Sequence, residues 1–186
     1  ARSTALIGVS IAAGSNHTVS SNNFYQTTGT NTGAFTGISV TGSGNNQTIN
    51  SNNIGGSSAN RSGSPYTSSG STFTGITLAA GTTTTSNIQG NTISNISLTN
   101  TVTSYGIYVT AGNVNIGTTS GNTIGGASSA YDTIGVNYDI YCIYNSGSGV
   151  VTISNNVRIG LVFLFTLSGT LFSLEARLIK INFFTH

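Results

Sequence analysis

A chain of 186 residues with only eight acidic or basic side chains, five Lys or Arg against three Asp or Glu, lacks the clustered cations that a nucleic-acid-binding face requires. Regularly placed Ile and Val, few charges and a single proline also argue against a disordered polar tract, and the lone Cys142 excludes a disulfide within the chain. Three of the cations, Arg158, Arg177 and Lys180, lie beyond residue 157, so the preceding body is close to neutral.

In chain order, one pattern returns five times. Its first strand reads Val9-Ser10-Ile11, Ile38-Ser39-Val40, Ile76-Thr77-Leu78, Ile107-Tyr108-Val109 and Ile143-Tyr144-Asn145. A second strand follows, centred on Val19, Ile49, Ile88, Ile116 and Ile153. A third apolar position comes next, at Phe24, Ile54, Ile93, Ile124 and Val157, with Asn22, Asn52, Asn91, Asn122 and Asn155 two residues before it. Alternation of apolar and small polar residues is the mark of a strand with one buried face. Such short strands bury that face only by stacking on the next copy. The recurrent Asn suits a sharp corner, where it tolerates a left-handed backbone, and its amide can bond the coils above and below.

These repeats, with pairs such as Thr48-Ile49 and Asn53-Ile54 and the run Gly90-Asn91-Thr92-Ile93, resemble the right-handed parallel β-helix repeats of the pectin-lyase-like superfold. The likeness is greatest to the Asn/Gly/Thr-rich repeat regions of bacterial secreted and cell-surface proteins. It covers roughly Leu6 to Ile159 and implies an all-β, single-stranded right-handed solenoid of about five coils, with Asn22, Asn52, Asn91, Asn122 and Asn155 as a stacked ladder. A β-sandwich would bring short hairpin turns, whereas equivalent positions here are 29, 38, 31 and 36 residues apart. The expected domains are 1–160, the repeats, and 161–186, an apolar segment. A start at Ala1 with no apolar leader fits a mature or excised fragment.

Loops are expected to leave one corner of each coil: Tyr25 to Phe35, Gly55 to Phe73, Ser94 to Tyr105 and Gly125 to Tyr141. The first-strand column turns from Ser10, Ser39 and Thr77 to Tyr108 and Tyr144, which should be vertical neighbours about 4.8 Å apart. Tyr108 and Tyr144, with Tyr131 and Tyr138 on the last long loop, are the candidate binding residues, as a stacking platform for a sugar or a partner. The competing role for the pair is aromatic cover of the sheet. Residues 159–174 are uncharged, and Leu161-Val162-Phe163-Leu164-Phe165 breaks with all that precedes it. Ser168-Gly169 interrupts this stretch, which is short for a membrane span. A hairpin turning there, or a short helix, would close the end of the core; self-association through the segment is the next expectation.

Carbohydrate-active members of the superfold use several carboxylates. This chain offers Asp132 and Asp139 on one insertion and Glu175 in the tail, too few to assign a catalytic site. His17, without a neighbouring acid or cysteine in the sequence, indicates neither a triad nor a metal site, and no cofactor is expected. The expected function is therefore a non-catalytic, extracellular or cell-surface structural or adhesive module that contacts glycans, surfaces or copies of itself. Two alternatives stand beside it. One is ice binding through the outward column Thr18, Thr48, Asn87, Asn115 and Thr152; the other is a fragment of a polysaccharide lyase or hydrolase.

Overall fold

The computed structural model describes residues 5–70, 72–99, 103–125, 139–159, 162–167 and 170–175. Three five-stranded parallel sheets carry the repeats. The first joins β1 (Leu6–Ile11), β4 (Phe35–Val40), β8 (Thr72–Ala79), β12 (Thr103–Ala111) and β15 (Asp139–Asn145), in that order. The second joins β2 (Thr18–Ser20), β5 (Thr48–Asn50), β9 (Ser86–Gln89), β13 (Val114–Ile116) and β16 (Val151–Ile153). The third joins β3 (Asn23–Phe24), β6 (Asn53–Ile54), β10 (Thr92–Ile93), β14 (Thr123–Gly125) and β17 (Val157–Ile159). Each repeat thus gives one strand to each sheet and lies beside the next repeat in all three. The chain is all-β, with one short helical turn, Ala59–Arg61, among the described residues.

Register follows from the apolar pattern, because a slip of one residue would turn every Ile of a strand to the outside. Ile38, Ile76 and Ile107 pair in the first sheet, Ile49, Ile88 and Ile116 in the second, and Ile54, Ile93 and Ile124 in the third. All nine are buried in one core. Each contributes on the order of 2 kcal/mol by leaving water.

The core is wider than the repeat alone requires. Between the third strand of one repeat and the first of the next, β7 (Tyr66–Ser68) pairs in parallel with β11 (Ile96–Leu98), so two of the segments expected as loops form a small fourth sheet. It brings in Tyr66, Ile96 and Leu98, all buried. The Tyr66 ring packs against Phe35 and Phe73, with centroids 4.7 and 5.9 Å away. Its hydroxyl has no hydrogen-bond partner; the Asn31 amide lies beside it without reaching bonding geometry and donates to the Gly33 carbonyl. Burial outweighs that neighbour and pushes the phenol up to about 12.

Where the third strand begins, the asparagines form a continuous chain of hydrogen bonds. The backbone N–H and Nδ2 of Asn22 donate to Asn52 Oδ1, those of Asn52 to Asn91 Oδ1, and those of Asn91 to Asn122 Oδ1, all at 2.9–3.0 Å. Asn52, Asn91 and Asn122 also donate from Nδ2 to the carbonyls of Val19, Ile49 and Ile88 in the repeat before. All three are fully buried.

The fifth member corrects the sequence alignment. Asn122 donates to Asn156 Oδ1, at 3.0 Å from N and 2.8 Å from Nδ2, and not to Asn155. The pairing of Thr123 with Val157 and Ile124 with Arg158 shows the same one-residue shift. Val157 therefore sits at an outward position and is 49 % exposed. The left-handed corner also lies one residue earlier than expected: positive φ belongs to Ser21, Ser51, Gly90 and Asn155, and to none of the four preceding ladder residues. Asn155 is the corner, and Asn156 carries the hydrogen bonds.

A glycine column runs along the first sheet through Gly8, Gly37, Gly75 and Gly106. A Cβ at Gly37, Gly75 or Gly106 would stand 2.5–2.6 Å from the carbonyl oxygen of Gly75, Gly106 or Cys142 in the following repeat. Beyond the repeats, β18 (Val162–Leu167) pairs antiparallel with β19 (Thr170–Glu175), which is the hairpin and not the helix of the two expected forms. Ser168 and Gly169 themselves lie outside the described residues.

Two predictions follow from this packing. Asn91→Leu removes the oxygen that accepts from the backbone N–H and Nδ2 of Asn52 and the Nδ2 that donates to the buried Ile49 carbonyl, and should lower unfolding stability by about 3 kcal/mol in urea titration; a loss near zero would mean that the ladder is not a stabilising element. The Tyr66 phenol binds its proton more tightly folded than unfolded, so its contribution is fully present below pH 10 and is lost as pH rises toward about 12. Tyr66→Phe should flatten that alkaline decline in thermal melts, and an unchanged slope would contradict the assignment.

Candidate functional site

The outer face of the first sheet carries the densest set of functional side chains. A strand ordinarily sends residues i and i+3 to opposite faces. In β12 the alternation breaks at the glycine column: Gly106 and Ile107 are both buried, and Tyr105 and Tyr108 flank them on the outside. In the next repeat Tyr141 pairs with Tyr105 and Tyr144 with Tyr108, which makes a two-by-two array of phenol rings on β12 and β15.

The rings pack against one another. Tyr105 stacks on Tyr108 with centroids 4.6 Å apart and planes 19° apart, and on Tyr141 at 5.4 Å and 14°. Tyr108 and Tyr144, the pair expected from the sequence, lie 5.3 Å apart at 45°, and Tyr141 and Tyr144 lie 4.7 Å apart at 42°. Ser146 Oγ donates to the Tyr108 hydroxyl at 3.1 Å. All four tyrosines are half-buried. Toward the start of the chain the same two columns shrink to Thr74, Thr36 and Ile7 and to Thr77, Ser39 and Ser10.

The electrostatics of the array are those of crowded phenols beside one acid. Burial raises the Tyr105 phenol above its ordinary value, helped by Tyr108, Tyr144, Tyr141 and the Asp139 carboxylate. Burial, then Asp139 and Tyr144, raise that of Tyr141. At neutral pH both rings are therefore uncharged hydroxyl donors on flat apolar faces, the chemistry that stacks on a pyranose ring and bonds its hydroxyls.

Of these four rings, sequence reasoning named Tyr108 and Tyr144, which the structure places side by side, and did not name Tyr105 and Tyr141. The signal was the repeated spacing Tyr105-Gly106-Ile107-Tyr108 and Tyr141-Cys142-Ile143-Tyr144, obscured by the assumption of strict alternation. Tyr131 and Tyr138, the other candidate binding residues, lie outside the described residues, as does Asp132. Asp139 is exposed at the head of β15, beside the array.

Elsewhere the polar groups serve local structure. His17 Nδ1 lies 3.2 Å from Gln47 Oε1, and Gln47 Nε2 donates to the Gly14 carbonyl. Arg61 Nε donates to Ser94 Oγ, and burial lowers the guanidinium pKa. The outward column of the second sheet runs Thr18, Thr48, Asn87, Asn115, Thr152 in register, with Asn115 Nδ2 bonded to Asn87 Oδ1. Among the described residues no group of three or more His, Cys, Asp or Glu is placed to hold a metal ion, and no helix is long and apolar enough to cross a membrane. Comparison with known protein families, curated proteins and solved structures gives no match.

The Asp139 carboxylate adds to the upward shift of both phenols, so Asp139→Asn should lower the pKa of Tyr105 and Tyr141 toward the ordinary value. Titration of ring-labelled tyrosine by NMR measures this directly. Two unshifted curves would remove the carboxylate from the site.

Proposed function

We propose that the chain is a right-handed parallel β-helix of five coils that serves as a non-catalytic, extracellular structural or adhesive module, and that the tyrosine array is its contact surface for glycans. The passage of the chain through three parallel sheets, once per repeat, supports the β-helix reading. The near-neutral body supports a surface that meets neutral ligands rather than polyanions.

One observation carries the contact role: four phenol rings on the outside of the first sheet, five of their six pairs with centroids 4.6–5.5 Å apart. Aromatic rings fixed by cross-strand packing present a flat face at little entropic cost, since their rotamers are already restricted before a ligand arrives.

The test is binding of the full chain to insoluble chitin and cellulose and to soluble neutral oligosaccharides. Tyr105→Ala with Tyr144→Ala should weaken binding at least tenfold, a change of about 1.4 kcal/mol, while the corresponding Phe pair keeps the rings and weakens it less. Equal binding by all three proteins would overturn the assignment. Release of sugar products that ceases in Asp139→Asn would replace it with the enzymatic reading, and thermal hysteresis in ice-growth assays with the ice-binding one.

A further inference from the structure

The four rings also sit where phenols react with one another. We propose that the tyrosine array is an oxidative cross-linking site, at which a ring of Tyr105 or Tyr108 becomes joined, ortho carbon to ortho carbon, to a ring of Tyr141 or Tyr144. The inference is independent of the glycan reading, because it rests on the distances between the rings and not on what they bind.

Two phenoxyl radicals couple only if they are in contact before either is quenched. Here the fourth repeat contributes Tyr105 and Tyr108, the fifth Tyr141 and Tyr144, and three cross-repeat pairs lie within 5.3–5.5 Å between centroids. Tyr105 and Tyr141 are also nearly parallel, stacked with planes 14° apart. All four tyrosines are partly exposed. The remaining described tyrosines provide contrasts within the same molecule: Tyr25 is 46 % exposed and belongs to no ring pair, and Tyr66 is 3 % exposed and shielded in the core.

The oxidant is hydrogen peroxide used by a haem peroxidase, an activity of extracellular surroundings and not of this chain. Each of two phenols gives up one electron and one proton. The two electrons and two protons reduce one peroxide to two waters. The two radicals form a single carbon–carbon bond. The hydrogen on each bonded carbon then moves as a proton, through solvent, to the oxygen of its ring and restores two phenols. The protein loses two hydrogen atoms in total. The bond closes a loop across two repeats in a chain whose one cysteine cannot make a disulfide, and such closure removes freedom from the unfolded chain.

The full chain is treated with peroxidase and hydrogen peroxide, the monomer and dimer fractions are separated, and each is weighed and peptide-mapped. The expected monomer has lost two hydrogens, joins a peptide holding Tyr105 or Tyr108 to one holding Tyr141 or Tyr144, and melts at a higher temperature than the untreated protein. Tyr25→Phe should remove dimers linked through Tyr25 and leave the monomer product intact. Changing all four array tyrosines to Phe keeps the stacked rings and the circular dichroism spectrum but should abolish that product; Tyr105→Phe and Tyr141→Phe alone should each reduce it. Cross-linked dimers without the monomer product, a monomer link that maps elsewhere, or its survival in the four-Phe variant would overturn the proposal.

Discussion

Everything in this molecule depends on the hydrogen bonding of one repeat to the next. Strands of two or three residues make too few bonds to stand alone, and a third strand as short as Asn53–Ile54 has little apolar surface to anchor it. The buried amides solve this at the narrowest point. Each of Asn52, Asn91 and Asn122 binds both neighbouring repeats, accepting two bonds on its oxygen from the repeat before it and giving two donors to the oxygen of the next. A side chain with one carbonyl oxygen and one NH2 group meets that demand; Asp would lack the side-chain donor and Leu both side-chain functions.

The ladder also fixes where the outer surface can carry function. Because register is set by the core, side chains on the outside align in columns whether or not they interact. Evolution of a column is then free of the fold: Ser10 and Ser39 and Tyr108 and Tyr144 occupy the same place in successive repeats. The tyrosine array needs one further device, the two adjacent buried positions at Gly106 and Ile107, which bring a second ring of each strand to the same face. The backbone that makes this fold tight is thus the backbone that gathers its aromatic groups.

Much of this was legible in the amino-acid order. The columns of Ile in all three sheets stand where alternation placed them, since a buried apolar face leaves little choice of register. What the sequence hid has physical causes. Asn155 and Asn156 are adjacent and chemically identical, so only hydrogen-bond geometry tells the left-handed corner from the ladder. Tyr66-Thr67-Ser68 and Ile96-Ser97-Leu98 are too short to signal a strand in a chain rich in Ser and Thr, and become one only because each is the other's partner. Tyr105 and Tyr141 were masked by a pleat that fails to alternate. The tyrosine pair at 108 and 144 was visible because it lies in the plain repeat.

The glycine column has a consequence for how the stack meets other polypeptide. At four repeats the following carbonyl occupies the space of a side chain, and at the fifth the register position belongs to Cys142. A strand laid beyond β15 in the same register would bring its carbonyl close to the Cys142 Cβ, where each earlier repeat carries glycine. At β1 the same position is Gly8. Open sheet edges are the usual seeds of fibres, and fibres need two edges that fit each other. Head-to-tail stacking of copies in this register would set Cys142 of one against Gly8 of the next, so a side-chain carbon would meet a carbonyl at the place where every earlier repeat offers glycine.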